Sequence, residues 1–419
     1  MHTGKFMRNI LFIAILLFVN ACKVTDDLDQ ISSSKINAVV LQNQFVPPVE
    51  NIFKSKRIQR ILDQRKTINP FLAWDNKYGL TTGTTKYGDN FEYYGMHWSA
   101  GNGDRFRVNN RLELKTPNWN YFYPGKEWNY WSNQEDQMRF VTDQNWDHGD
   151  EYGATKVMNI AHKDFPNSFA SEVRNETKNG FHGVMLDWWH NGHPTKWKGR
   201  ELDGALINIA SAIRREMGDG FLIMGNVNYE MNEPVIKELN GVFLELYKDS
   251  KDSYTRHDIL RIQDIIDFYN QKLKSPKIIA LNAWRLTNAS VPTNLRDPNI
   301  LTQVNSDRNS LQNRRLARLF SAMSAVSADT GYILYGDNNA DFEFGDHDHF
   351  YYDIYRLNLG QPVSQFVEPL KGLRVKKFKR GYIAYNLNKT PVNLQISDFE
   401  VTVGSMDAVY ISLIGESLI

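Results

Sequence analysis

The sequence predicts an α/β protein: a (β/α)8 barrel of the TIM type, followed by a small antiparallel β domain. Three observations carry that expectation. Eight short apolar runs, mostly separated by stretches of helical period, occupy roughly 270 residues, the usual size of such a barrel. Several of those runs end in a polar or acidic residue, as barrel strands do on the face where catalytic groups collect. After Pro362 the helical period disappears and short β-rich runs follow one another.

The elements follow in order. Residues 50–66 are basic, and Ile52, Phe53, Ile58, Ile61 and Leu62 form an apolar stripe suited to a helix that closes the bottom of the barrel. Phe71 to Asp75 reads as the first strand, Tyr93 to Trp98 as the second and Trp119 to Tyr123 as the third. Residues 124–155 show neither period and read as a long loop, a length usually kept for function. Residues 164–179 read as a helix leading to a fourth strand, Val184 to Leu186, that ends in Asp187. Leu202, Leu206, Ile209 and Ile213 recur at helical spacing. Strands then follow at Phe221 to Asn226, Gly241 to Glu245, Lys277 to Asn282 and Gly331 to Asp337, with helical faces at Ile259, Ile262 and Ile266 and at Leu316, Leu319 and Phe320 between them. A doubly wound open sheet is the alternative, but the glycine-rich phosphate turn it often carries is missing from the early strands. Leu373 to Phe378, Gly381 to Asn386, Val392 to Ile396 and Ala408 to Leu413 predict the strands of a β-sandwich-like domain over residues 363–419.

The N-terminus reads as a leader. Lys5 and Arg8 precede ten consecutive apolar residues, Ile10 to Val19, too few for an ordinary spanning helix. Val19-Asn20-Ala21-Cys22 resembles a lipobox, so residues 1–21 read as a lipoprotein signal peptide and Cys22 as the acylated mature N-terminus. A plain secretory signal is the alternative. Lys23 in place of an inner-membrane retention Asp favours the outer membrane. Residues 22–66 then make a polar tether and the N-terminal helix, and residues 67–362 the barrel. Cys22 is the only cysteine, so no intramolecular disulfide can form. Net charge is +1, which gives no electrostatic footing for nucleic acid. A monomer is expected.

The strand ends nominate the chemistry. A barrel brings Asp75, His97, Tyr123, Asp187, Asn226, Glu245, Asn282 and Asp337 to one face. Asp187 and Glu245 close strands with the same Gly-Val-x-Leu-acid pattern, two strands apart. Two carboxylates flanking a substrate are the minimal equipment for glycoside hydrolysis: one protonated to donate to the leaving oxygen, the other ionised as nucleophile or base. Glu245 follows apolar residues and is assigned the acid, Asp187 the nucleophile or base. A strand-end carboxylate that merely caps a helix or pairs with arginine is the bland alternative. All ten tryptophans fall between Trp74 and Trp284. Trp74, Trp98, Trp188, Trp189 and Trp284 stand at or just beyond predicted strand ends, where indoles offer flat apolar surfaces to sugar rings, with His190 beside them. His190 and His193, and Asp346 to His349, raise a metal site, but they lack a metalloprotease helix motif or EF-hand spacing. Neither a metal nor an organic cofactor is expected.

Gly180 to Trp189 resembles the G-F-D-G-V-F-L-D-W segment of barrel glycoside hydrolases, the endo-α-1,4-polygalactosaminidase-like group and related hypothetical glycosyl hydrolase families. Gly241 to Glu245 is similar to their later D-G-V-x-x-E strand. His349 to Pro362 is similar to their H-x-x-Y-D-E-Y-x-x-x-L-G-x-P segment, and Phe378 to Asn386 to the start of their C-terminal β domain. His182 stands where these families have Asp, and Ile354 where they have Glu. The resemblance implies a barrel that acts on glycosidic bonds of a polysaccharide, with Asp187 and Glu245 as the acidic positions. The alternative reading is a non-catalytic carbohydrate-binding lipoprotein on a degenerate barrel; a metal-dependent deacetylase or esterase on glycans is a third.

Overall fold

A computed structural model describes residues 37–41, 44–48, 53–73, 94–99, 110–125, 130–146, 155–192, 197–246, 253–287, 298–336, 350–413 and 416–419. A first strand, β1 (Asn37–Leu41), precedes helix α1 (Lys56–Asp63). The barrel strands are β2 (Phe71–Leu72), β3 (Met96–Ser99) and β4 (Leu112–Lys115), then, after an excursion, β8 (Gly183–Leu186), β9 (Leu222–Asn226), β10 (Gly241–Glu245), β11 (Ile278–Trp284) and β12 (Thr330–Gly336). The excursion holds β5 (Tyr121–Phe122), α2 (Gln134–Met138), β6 (Val141–Trp146) and β7 (Thr155–Met158).

The eight barrel strands pair in parallel in the order β12-β11-β10-β9-β8-β4-β3-β2. The ring closes through a parallel bridge between Pro70 and Ile333, where the Ile333 N–H donates to the Asn69 carbonyl at 2.9 Å. This is the (β/α)8 barrel the sequence predicts, with the described helices packed outside: α3 (Phe165–Thr177), α4 (Arg200–Met217), the short α5 (Glu233–Ile236), α6 (Arg256–Lys272), α7 (Pro298–Arg308) and α8 (Leu311–Ser327). Thr255 opens α6 with a reciprocal cap, its hydroxyl accepting from the Asp258 N–H while the Asp258 carboxylate takes the Thr255 N–H.

Alternation along each strand divides the core in two. Met96, Trp98, Leu112, Leu114, Met185, Leu222, Met224, Phe243, Ile278, Ala280, Tyr332 and Leu334 fill the barrel interior. Phe53, Ile58, Ile61 and Leu62 join that cluster, so α1 plugs the amino-terminal end of the barrel. Val184, Leu186, Ile223, Val242, Leu244, Ile279, Leu281 and Ile333 point outward under the helices. Gly183 and Gly241 take inward positions where a Cβ would run into Leu222 and Ile278, which is why both acid-ended strands begin with glycine.

The third strand differs from expectation. Tyr121–Phe122 lies in a separate antiparallel sheet, β5-β7-β6, and Leu112–Lys115 takes the third barrel position. The cause is charge: Arg111, Glu113 and Lys115 point away from the interior yet are buried, so the run imitates a solvent-facing strand. The predicted long loop at 124–155 correspondingly contains α2 and β6.

After a 3-10 turn (Asp353–Arg356) come β13 (Val367–Leu370), β14 (Leu373–Phe378), β15 (Gly381–Asn386), β16 (Val392–Ile396), β17 (Phe399–Val403) and β18 (Asp407–Ser412). They form two sheets, β13-β14-β15-β18 and β1-β16-β17, around Leu41, Val375, Ala384, Leu394 and Val403. β1, at the end of the stretch read as a tether, pairs in parallel with β16. Tyr385 and Tyr410 on the far face pack into the outer barrel core, and Arg318 of α8 makes a two-pronged ion pair with Asp407 at 2.6 and 2.9 Å.

Candidate active site

β8, β9, β10 and β11 are consecutive parallel neighbours. Their inward positions end in polar groups: Asp187 one residue past β8, Asn226 and Glu245 closing β9 and β10, and Asn282 within β11. The apolar plug of α1 lies at the opposite end of the barrel. Asp187 and Glu245 are both half-buried.

Asn226 joins the two acids. Its Nδ2 donates to Asp187 Oδ1 at 2.8 Å and to Glu245 Oε2 at 3.1 Å. Its Oδ1 accepts from the Asn228 N–H at 3.0 Å, which fixes the amide with its donors toward the acids. Because one nitrogen reaches both, the two oxygens are at most about 6 Å apart. Carboxyl groups of retaining pairs stand about 5–5.5 Å apart and those of inverting pairs about 6.5–9.5 Å apart. Trp119, which the sequence reading placed in a barrel strand and gave no role, donates its indole N–H to the Asp187 carbonyl at 2.9 Å and steadies the strand end from outside.

Asn282 is fully buried, faces Glu245 in the strand register, and has no hydrogen-bond partner for either amide atom among the described residues. Buried polar groups are rarely left so, at a cost of about 1–3 kcal/mol. Trp284 lies one inward step further along β11 and is buried, its backbone N–H donating to the Tyr254 hydroxyl at 2.8 Å.

His190 is buried next to the mouth. Its Nδ1 accepts from the Gly192 N–H at 3.0 Å, leaving the neutral ring's proton on Nε2. Burial pushes its pKa down, against the opposing pull of Glu230 and Glu245, so the ring is uncharged at neutral pH. Trp188 packs against it at 5.3 Å between ring centroids. Trp188 also adopts a left-handed backbone, φ 58°, a conformation a bulky residue rarely takes.

Other predicted site residues fall elsewhere. Trp98 lies inside the barrel, stacked on Phe71 at 4.8 Å, and is no rim platform. Trp189 is a core residue: fully buried, bonded through its indole N–H to the Val235 carbonyl at 3.0 Å, and seated where Gly225 leaves no room for a Cβ. His97 sits between the inward Met96 and Trp98 and so points outward, its Nδ1 2.8 Å from Glu113 Oε2; Arg111 Nε holds the other Glu113 oxygen at 2.6 Å. His182, the departure from the resembled motif, joins that outer cluster by accepting the Glu113 N–H at 3.0 Å. Tyr123 belongs to the excursion, next to Tyr121, rather than to a barrel strand. Cys22, Trp74, Asp75, His193, Asp337 and Asp346 to His349 lie outside the described residues. Among the described residues, no group of three or more His, Cys, Asp or Glu is placed to hold a metal ion, and no helix is long and apolar enough to cross a membrane.

No family model matches the chain, and no curated protein matches it in sequence. Solved structures similar to it include glycoside hydrolases. They include the glycoside hydrolase domain of PelA from Pseudomonas aeruginosa, at 13% identity over 67% of this chain and 99% of that one, TM-score 0.39. A GH30 endoxylanase from Clostridium papyrosolvens C71 matches at 10% identity over 89% and 98%, TM-score 0.46. Aspergillus fumigatus Ega3, solved with galactosamine, matches at 10% identity over 58% and 86%, TM-score 0.34. The barrel assignment rests on the strand order, not on these likenesses.

Proposed function

We propose that the chain is a glycoside hydrolase that cleaves a polysaccharide through the pair Asp187 and Glu245, with retention of anomeric configuration. The observation that carries this reading is the single Asn226 amide that reaches both carboxyl groups at 2.8 and 3.1 Å. One protonated and one ionised acid is the state glycoside cleavage needs.

In this proposal Glu245, which closes β10 after a run of apolar residues, takes the role of the acid. Glu245 donates its proton to the glycosidic oxygen as the bond to the anomeric carbon breaks. An Asp187 oxygen attacks that carbon from the opposite side and forms a glycosyl ester. Ionised Glu245 then takes a proton from water, whose oxygen attacks the anomeric carbon and releases Asp187. A barrel that only binds sugar would have no need to bring two carboxyls onto one donor. The lipobox read at Cys22 places this activity, within the same proposal, on a lipid-anchored monomer at the cell envelope.

Hydrolysis is tested by incubating the protein with a panel of soluble polysaccharides, sizing the products and reading the first-formed anomer by NMR. Shorter chains with the parent configuration at the new reducing end are expected. An inverted anomer would remove the assignment of Asp187 as nucleophile, and intact chains throughout the panel would remove the hydrolase.

A further inference from the structure

Between β4 and β8 the chain leaves the barrel to build the β5-β7-β6 sheet. A continuous row of rings links that sheet to the residue after Asp187. Tyr123 packs edge-on to Tyr121 at 5.1 Å between centroids, and Tyr121 lies 5.5 Å from Trp146. Trp146 meets Trp188 at 5.1 Å and 90°, and Trp188 covers His190 at 5.3 Å. The end members are buried, but Tyr121, Trp146 and Trp188, the middle of the row, are only half-buried.

A second feature shows that the row is built rather than incidental. Trp188 adopts its left-handed backbone at φ 58°, a conformation that costs a residue other than glycine about 1–2 kcal/mol. The turn carries its indole to Trp146, while the next residue, Trp189, goes down into the core. Strain of this kind is kept where the surrounding structure uses it.

We propose that this row is a binding wall for a linear polysaccharide, with Tyr121, Trp146 and Trp188 taking the apolar C–H faces of sugar units away from the bond being cut. The proposal rests on the hydrolase reading for the choice of occupant: the row begins at the residue after Asp187, and a chain lying across the carboxyl pair continues over it. It assigns binding roles to Tyr121 and Trp146.

The test is affinity electrophoresis of the full chain carrying Asp187→Asn, run through gels holding a galactosaminan, a xylan, an α-glucan or a β-glucan. At least one gel is expected to retard the protein. Adding Trp146→Ala or Tyr121→Ala should weaken that retardation about threefold to tenfold each, the worth of one ring contact, with the melting temperature of each variant recorded to show that it folds. Should Trp146→Ala fail to fold, Trp146→Phe, which shortens the wall but keeps its packing, takes its place. Failure of every gel to retard the protein overturns the proposal, as does equal retardation of folded wall variants. A concentration-dependent dimer that Trp146→Ala abolishes would show that a second copy, not sugar, covers the wall. Retardation without hydrolysis by the wild type would remove the hydrolase and leave the wall; hydrolysis with wall-independent retardation would do the reverse.

Discussion

Asn226 Nδ2 lies 2.8 Å from Asp187 Oδ1, and the same nitrogen reaches Glu245 at 3.1 Å. The amide therefore sets the spacing of the pair and stabilises whichever acid is ionised. Asn226→Ala removes a donor aimed at developing charge, and kcat should fall about a hundredfold to a thousandfold. KM should change far less. Steady-state kinetics on the substrate found in the panel checks the split; an equal change in KM with kcat intact would make Asn226 a substrate-binding residue instead.

Asn282 carries an amide with no hydrogen-bond partner among the described residues, in a fully buried place. Asn282→Ala removes the unsatisfied amide and leaves only a small void, so the melting temperature should change little. Because neither amide atom is open to substrate, the same change should leave KM near the wild-type value. A melting point that drops along with activity would show that Asn282 is held structurally.

Adjacent tryptophans should separate cleanly. Trp189→Ala empties a fully buried site over Gly225 and should cost about 3–5 kcal/mol of stability. Trp188→Gly removes a half-buried ring but relieves the positive φ, so its stability loss should be far smaller. Chemical denaturation of both variants measures the difference, and equal losses would contradict the division between core and rim.

Much of this was legible in the sequence. Gly-Val-x-Leu-acid, repeated at 183–187 and 241–245, marks two inward strands whose glycines relieve crowding and whose acids end at the mouth. The alternation of Val392, Leu394 and Ile396 likewise matches β16 of the sandwich. The third barrel strand was hidden because Arg111, Glu113 and Lys115 satisfy one another and their neighbours in a buried layer, so charge stood where burial was to be read. For the same reason His97 looked like a strand-end ligand: position along a strand is visible in sequence, but the face is not until the register is known. Trp98 and Trp189 are buried through contacts with Phe71 and Gly225, far away in the chain. The role of Asn226 depends on three strands meeting, which no local pattern announces.

That outer layer gives a pH prediction. Glu176, on α3 near Lys115, is pushed up from 4.5 to about 7, chiefly by burial, with Lys115 pulling down and Glu172 pushing up. The folded chain thus holds this proton more tightly than the unfolded chain. Its contribution to stability is full below pH 4.5 and is lost as pH rises to about 7. Glu176→Gln, which cannot ionise, should gain on the wild type in melting temperature between pH 5 and pH 8. A gap that stays constant across that range would place the charge of Glu176 outside the folding equilibrium.

The central claim is tested most directly by assaying Asp187→Asn and Glu245→Gln beside the wild type on whichever polysaccharide the wild type cleaves. Both variants should keep the wild-type circular dichroism and lose about a hundredfold to ten-thousandfold in rate. Full activity in both variants would contradict the assignment of the pair.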